Sequence, residues 1–198
     1  GRGQPSRDRT GAAVRRCHGR GESETEVEVV APVTIELTTA DDTIRFGRSL
    51  GTALRAGDLV LLAGPLGAGK TTMTRGIAEG MGVSGRVSSP TFVLARVHPA
   101  PGAGASEDGS SEDGSSSDAA ALVHVDAYRL GGDLSELDDL DLDAELDRSA
   151  VVVEWGEGLA EPLSEDRLVV RIERHPDDTR TVTFEPHGTW KTRVDTIP

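Results

Sequence analysis

The sequence predicts an α/β fold with a mainly parallel core sheet and an antiparallel edge hairpin, and three observations predict it. Apolar runs at Leu59–Ala63, Ala121–Val125 and Val151–Val153 read as buried core strands. The first passes through a glycine-rich turn into a helical pattern, and the other two end on carboxylates, Asp126 and Glu154. Two alternating runs, Arg167–Ile172 and Thr181–Phe184, flank the turn His175-Pro176-Asp177-Asp178 and form the hairpin.

In chain order, residues 1–21 hold six arginines and almost nothing apolar, so residues 1–30 are expected to be a disordered tail. A basic arm for RNA is the alternative, opposed by Glu22, Glu24, Glu26 and Glu28, which reverse the charge at once. Val33–Leu37 alternates as a short strand. Thr38 to Asp42 supplies capping residues for a helix from about Asp42 to Leu54, with Ile44, Phe46, Leu50 and Leu54 on its apolar side. After the strand Leu59–Ala63 come Gly64-Pro65-Leu66-Gly67-Ala68-Gly69-Lys70-Thr71 and a second threonine, Thr72. A short helical pattern over Met73–Met81 then ends in glycines. Arg86 to Val97 is a polar loop running into a strand. From about 98 to 120 the composition turns to Pro, Gly, Ser, Ala, Glu and Asp, which predicts a disordered acidic insertion. Asp133–Asp147 carries eight carboxylates with no basic residue, and five leucines give it an apolar stripe. One or two short helices fit, their acids forming either a solvated face or a docking surface for a basic partner. A globular domain is therefore expected over 31–186, with 187–198 as a C-terminal tail.

Composition narrows the function classes. With 198 residues and 36% hydrophobic content, the chain suits one domain plus tails. A net charge of −13 disfavours a free-standing nucleic-acid binder. Cys17 is the single cysteine and has no internal partner, as expected of a reducing cytoplasm. No apolar run approaches the length of a membrane span, so no membrane partner is expected.

The glycine turn carries the chemistry. Strand, G-x-x-x-x-G-K-[ST], then helix is the arrangement of a phosphate-binding loop, which makes the expected fold a P-loop NTPase-like three-layer sandwich. Gly64, Gly67 and Gly69 let several backbone N–H groups converge on one anion, and the helix start adds more. Gly67, Ala68, Gly69, Lys70, Thr71 and Thr72 are thus the expected phosphate ligands, Lys70 reaching the β- and γ-phosphates and Thr71 ligating Mg²⁺. The chain has two lysines against 19 arginines, and one stands where the motif requires it. Strands of such sheets bring ligands to their carboxyl ends, so Asp126 and Glu154 compete for two roles there, Mg²⁺ binding and orientation of the attacking water. Ser88-Ser89-Pro90-Thr91 is either a switch-type loop in which Thr91 senses the γ-phosphate or a plain turn. His124 is a core histidine or a catalytic one. Trp155 either stacks near the nucleotide or a partner, or fills the core. The chain has no asparagine and no Asn/Thr-Lys-x-Asp motif, and Arg129 stands where a GTPase switch has glycine, so the expected nucleotide is ATP.

Gly-x-Leu-Gly-Ala-Gly-Lys-Thr-Thr at 64–72, Ser-Pro-Thr-Phe at 89–92, His-x-Asp-x-Tyr-Arg-Leu at 124–130 and Val-Glu-Trp at 153–155 occur in this order. Together they resemble the TsaE (YjeE) family over roughly residues 34–185. The resemblance implies a compact Mg-ATP hydrolase of the bacterial pathway that makes t6A at position 37 of tRNA. It implies TsaB and TsaD as protein partners, with tRNA reached only through them. It makes Glu154 a Mg²⁺ ligand and Asp126 an essential carboxylate at the γ-phosphate, and sets Thr39 beside the adenine. Two departures stand out: Pro65, where the family often has an acidic residue, and the long insertion. A small-molecule kinase and a non-hydrolysing nucleotide-gated module are the alternative readings.

Overall fold

The computed structural model describes residues 34–85, 87–88, 94–102, 120–130 and 140–197. The tail over 1–30, Thr91, most of the acidic insertion and residues 133–139 of the acidic stripe lie outside them.

Seven strands form one sheet: β1 (Thr34–Leu37), β2 (Leu59–Ala63), β3 (Ala95–His98), β4 (Ala121–Asp126), β5 (Ser149–Glu154), β6 (Arg167–Arg174) and β7 (Arg180–Pro186), in the order β1-β7-β6-β2-β5-β4-β3. The centre, β6-β2-β5-β4, is parallel, as the apolar runs of β2, β4 and β5 predict; β6, expected as an edge strand of the hairpin, lies inside the sheet, parallel to β2 on one side and antiparallel to β7 on the other. Antiparallel pairs close both edges, β3 on β4 at one and β6-β7-β1 at the other. The expected hairpin is therefore present, and the strand expected before His98 is a second antiparallel edge strand, β3.

Two helices cover one face, α1 (Ala40–Ala53) and α2 (Lys70–Met81). Phe46, Leu50, Met73 and Ile77 pack there on Val60, Leu62, Val170 and Ile172. Leu59, Leu61, Val123, Val151 and Val153 point to the other face, where the one-turn helix α3 (Leu142–Leu146) inserts Leu142 and Leu146. α3 lies within the described part of the acidic stripe, 140–147, and its leucines are buried as the stripe predicts.

Helix α1 starts two residues before the expected Asp42, because Thr39 is its N-cap. The Asp42 backbone N–H donates to Thr39 Oγ1 (3.1 Å) and the Asp42 carboxylate accepts from the Thr39 N–H (2.8 Å), a complete capping box. Helices α1 and α2 meet backbone to backbone. Gly47 and Gly51 on one, and Gly76 and Gly80 on the other, each face a carbonyl oxygen of the opposite helix at a spacing that a methyl group would overlap.

The expected C-terminal tail over 187–198 is instead part of the domain. Trp190 opens a short helix, α4 (Trp190–Arg193), and is 0% exposed within the core of the α1–α2 face. Arg193 lies over the Trp190 ring, donates to both oxygens of buried Asp58 (2.6 and 2.9 Å) and to the Ala53 carbonyl (2.9 Å), and so ties the C-terminus to the start of β2. Burying an indole is worth a few kcal/mol, enough to hold one short helix in place. Among the described residues no helix is long and apolar enough to cross a membrane.

Candidate functional site

The glycine loop leaves β2 at Ala63 and enters α2 at Lys70. Gly64 sits at φ 140°, and any Cβ there would collide with the Ile172 carbonyl oxygen on β6, so only glycine lets the chain turn at this point. The turn is closed by Ala68 N–H to Pro65 O (3.2 Å), and α2 begins with Met73 N–H to Gly69 O (2.8 Å). Gly69, in the left-handed region, is its N-cap, so the helix opens with no side chain over its first N–H groups.

A cleft of about 410 Å³ opens at the carboxyl ends of β2, β5 and β4, lined by Leu66, Gly67, Gly69, Lys70, Thr71, Thr72, Asp126, Tyr128, Glu154 and Trp155. Most residues expected at the site are here. Ala68 is buried behind them, within the loop. Lys70 is buried and donates to the Gly64 and Pro65 carbonyls (2.7 and 2.9 Å), with its ammonium 3.6 Å from the Trp155 ring centroid. Burial pushes its pKa below the ordinary lysine range, opposed by the charges of Glu154 and Asp126.

Glu154 is 2% exposed, and three donors hold its carboxylate. Thr71 Oγ1–H reaches Oε2 at 3.0 Å, while His124 Nε2 and Thr74 Oγ1 reach Oε1 at 2.8 and 3.3 Å. A carboxylate only accepts, so His124 presents a hydrogen on Nε2; its Nδ1 is buried with no partner among the described residues. His124 is therefore neither a catalytic base facing the cleft nor an idle core residue. It is a brace for Glu154. Thr74, one helical turn after Lys70, shares its one hydroxyl hydrogen between Glu154 Oε1 (3.3 Å) and the Lys70 carbonyl (3.1 Å), a second and weaker brace that the G-K-[ST] motif does not announce.

Asp126 pairs in register with Glu154 across β4 and β5, but is half-buried and accepts from the Tyr128 N–H (3.2 Å). Trp155 adopts φ 62°, a left-handed conformation that costs a non-glycine residue energy and marks a position held for a purpose. The twist turns its ring over Lys70 and against Tyr128, 5.0 Å between centroids, making an aromatic wall of the cleft. Thr39 is not brought into the cleft; its hydroxyl is occupied in the α1 cap. Thr43, one turn on, is the residue of α1 that approaches Gly69.

A mixed sheet with a parallel centre, and a glycine loop between its central strand and the next helix, defines the P-loop NTPase-like class of α/β proteins. Comparison with known proteins is more specific. The family model described as threonylcarbamoyl adenosine biosynthesis protein TsaE matches residues 37–182. The tRNA threonylcarbamoyladenosine biosynthesis protein TsaE of Streptomyces coelicolor is 58% identical over 133 residues, 67% of this chain and 80% of the relative. Its namesake in Mycobacterium bovis is 50% identical over 157 residues, 76% of this chain and 85% of the relative. The crystal structure of Bacillus subtilis YdiB superposes with a TM-score of 0.64 at 26% identity, covering 86% of this chain and 96% of that one. The chain belongs to the TsaE family, and with it to tRNA threonylcarbamoyladenosine biosynthesis.

Proposed function

We propose that this chain is the ATPase component of the bacterial t6A37 tRNA-modification machinery, hydrolysing Mg-ATP in the cytoplasm in association with the TsaB–TsaD pair. The observation that carries the reading is the convergence of Lys70, Thr71 and Glu154 at the mouth of the glycine loop. The loop N–H groups and the start of α2 suit a polyphosphate, and Lys70 would exchange its two carbonyl partners for phosphate oxygens.

Thr71 and Glu154 fit a magnesium ion. Adjacent ligands of an octahedral Mg²⁺, with bonds of about 2.0–2.1 Å at right angles, stand about 3 Å apart. Thr71 Oγ1 and Glu154 Oε2 are 3.0 Å apart, fixed there by the braces on the other carboxylate oxygen. Bound there, the ion would neutralise charge on the β- and γ-phosphate oxygens. Asp126, half-buried on the neighbouring strand and lining the same cleft, is suited to accept a hydrogen bond from the attacking water. Trp155 and Tyr128 wall the cleft and limit bulk water around the reacting phosphate. With a net charge of −13, the chain would reach tRNA only through its protein partners.

The test is Mg-ATP hydrolysis by the purified chain, alone and with its cognate TsaB and TsaD, with Lys70→Ala as control. Slow turnover alone, stimulation by the partners and a loss on the order of a hundredfold or more in Lys70→Ala are expected. Turnover indifferent to both the partners and Lys70 would overturn the reading.

A further inference from the structure

Two buried histidines lie side by side on the sheet face that α2 covers. Across the antiparallel pair β3–β4, Arg96 stands opposite His124 and His98 opposite Leu122. His98 and His124 are therefore diagonal neighbours, and the alternation of side chains puts both on the face of Leu122. His98 is 3% exposed and His124 0%. Each ring has one nitrogen engaged. His124 Nε2 donates to Glu154 Oε1 at 2.8 Å. His98 hydrogen-bonds the backbone of Ser84, whose N–H is already directed to the Pro99 carbonyl (3.1 Å), so the ring meets the Ser84 carbonyl. A carbonyl accepts, and the ring nitrogen on that side is Nδ1, 3.8 Å from a Cβ built on Gly85.

The other two nitrogens, His124 Nδ1 and His98 Nε2, are buried without a partner among the described residues. One such atom destabilises a fold, and two on neighbouring rings ask for a common explanation. Burial holds the pKa of His98 below the ordinary histidine range, so the ring is neutral at neutral pH. With its hydrogen on Nδ1, His98 accepts at Nε2; with its hydrogen on Nε2, a neutral His124 accepts at Nδ1. Two acceptors cannot bond each other. One water can donate a hydrogen to each. A cavity of about 420 Å³, lined in part by Ala78, Gly85 and Val87, meets the His98 ring at Gly85 and is the route by which a water would enter.

We infer that His98 is a positioning residue for Glu154: a buried water bridges His98 Nε2 and His124 Nδ1 and fixes the tautomer in which His124 donates to the carboxylate. A donor held against Nδ1 keeps the lone pair there and the hydrogen on Nε2. Were the hydrogen to move to Nδ1, the Nε2 lone pair would face the carboxylate and the brace would be lost. The chain of contacts runs from the Ser84 carbonyl, just after α2, through both rings to the cleft. Its part in magnesium binding rests on the reading of Glu154 above, whereas the bridge itself does not.

Nitrogen NMR of the imidazole rings in the full chain near neutral pH, assigned through bonds, tests the bridge without any substitution. His98 is expected to carry its hydrogen on Nδ1 and His124 on Nε2, with Overhauser contacts from one long-lived water to both rings. His98 with its hydrogen on Nε2, a doubly protonated His124, or rings without that water would each overturn the inference. Two variants then test the positioning. His98→Phe keeps an aromatic ring and removes the acceptor, whereas His98→Tyr brings a hydroxyl that can donate to His124 Nδ1 in place of the water. The Mg²⁺ concentration that half-saturates ATP binding, read by titration calorimetry, should rise about three- to fivefold in His98→Phe. It should return to within about twofold of wild type in His98→Tyr. Equal behaviour of the two variants would make His98 a packing residue and overturn its positioning role. If the tautomers are as expected but wild-type ATP binding is indifferent to Mg²⁺, the magnesium reading fails and the bridge stands.

Discussion

Glu154 and Asp126 end neighbouring parallel strands and stand opposite each other in register, yet their surroundings differ in kind. Glu154 is sealed in the protein with donors from α2 and β4 on both oxygens, so it has one orientation. Asp126 sits half-buried at the rim of the cleft, where it accepts from the Tyr128 N–H. A group that holds a metal benefits from being fixed before the metal arrives, because misplacement of a hard-cation ligand is costly. A group that handles a water benefits from partial exposure. The contrast teaches that the two carboxylates are not interchangeable copies.

Substitution can break this comparison. Glu154→Ala should cost the most, lowering Mg-ATP turnover on the order of a hundredfold to a thousandfold and weakening Mg²⁺-dependent nucleotide binding, measured by steady-state hydrolysis and by titration. Asp126→Asn should lower turnover about a hundredfold at near-normal Mg-ATP affinity; an affinity loss matching that of Glu154→Ala would erase the distinction. His124→Leu removes a brace without touching the cleft. Roughly tenfold weaker Mg²⁺ dependence is expected, with a stability loss of about 1–3 kcal/mol from the stranded carboxylate oxygen, read by denaturant titration. Thr74→Val removes the weaker brace at constant volume and should cost about 1 kcal/mol and a few-fold in Mg²⁺ dependence.

The smallest effect concerns the strand beyond Asp126. His98 is buried on β3, opposite Leu122 of β4, and burial, then nearby His124, holds its pKa below 6.5. The folded state thus binds fewer protons than the unfolded one at this residue. Its contribution is full above pH 6.5 and is lost as pH falls from 6.5 toward the folded pKa. A shallow fall in melting temperature as pH drops below 6.5 is expected, flattened in His98→Leu.

Much of this was legible in the sequence because the signals are local. An aliphatic run, a glycine loop and a helix lie within two dozen consecutive residues, and acids close the runs ending at Val125 and Val153. What the sequence left open was set by distant partners. Asp126 and Glu154 look alike in the sequence, and the contacts that set them apart come from His124, Thr71 and Thr74, 30 to 83 residues from Glu154. The C-terminal segment looked like a tail because a lone tryptophan in polar surroundings has no period. Its anchor, Arg193 on Asp58, spans 135 residues. Thr39 carried a local signal, the Thr-x-x-Asp cap, and the structure uses it for that. Arg174 and Arg180 fall between the two alternating runs, and nothing local says that their guanidinium groups lie beside the glycines at 67 and 69.

The glycine-lined seam between α1 and α2 has a mechanical consequence. Side chains between two helices act as cushions, shifting rotamer to absorb small displacements. Here carbonyl oxygens rest against glycine α-carbons and there is nothing soft in between. The two helices should therefore behave as one stiff plate. At one end the plate carries Lys70, Thr71 and the approach of Thr43 to Gly69; along its outer edge Arg48 is ion-paired to Glu79. A shift of the phosphate loop on filling or emptying would then reach the outer surface of α1 undamped, so whatever rests on that surface would feel the state of a cleft it does not touch.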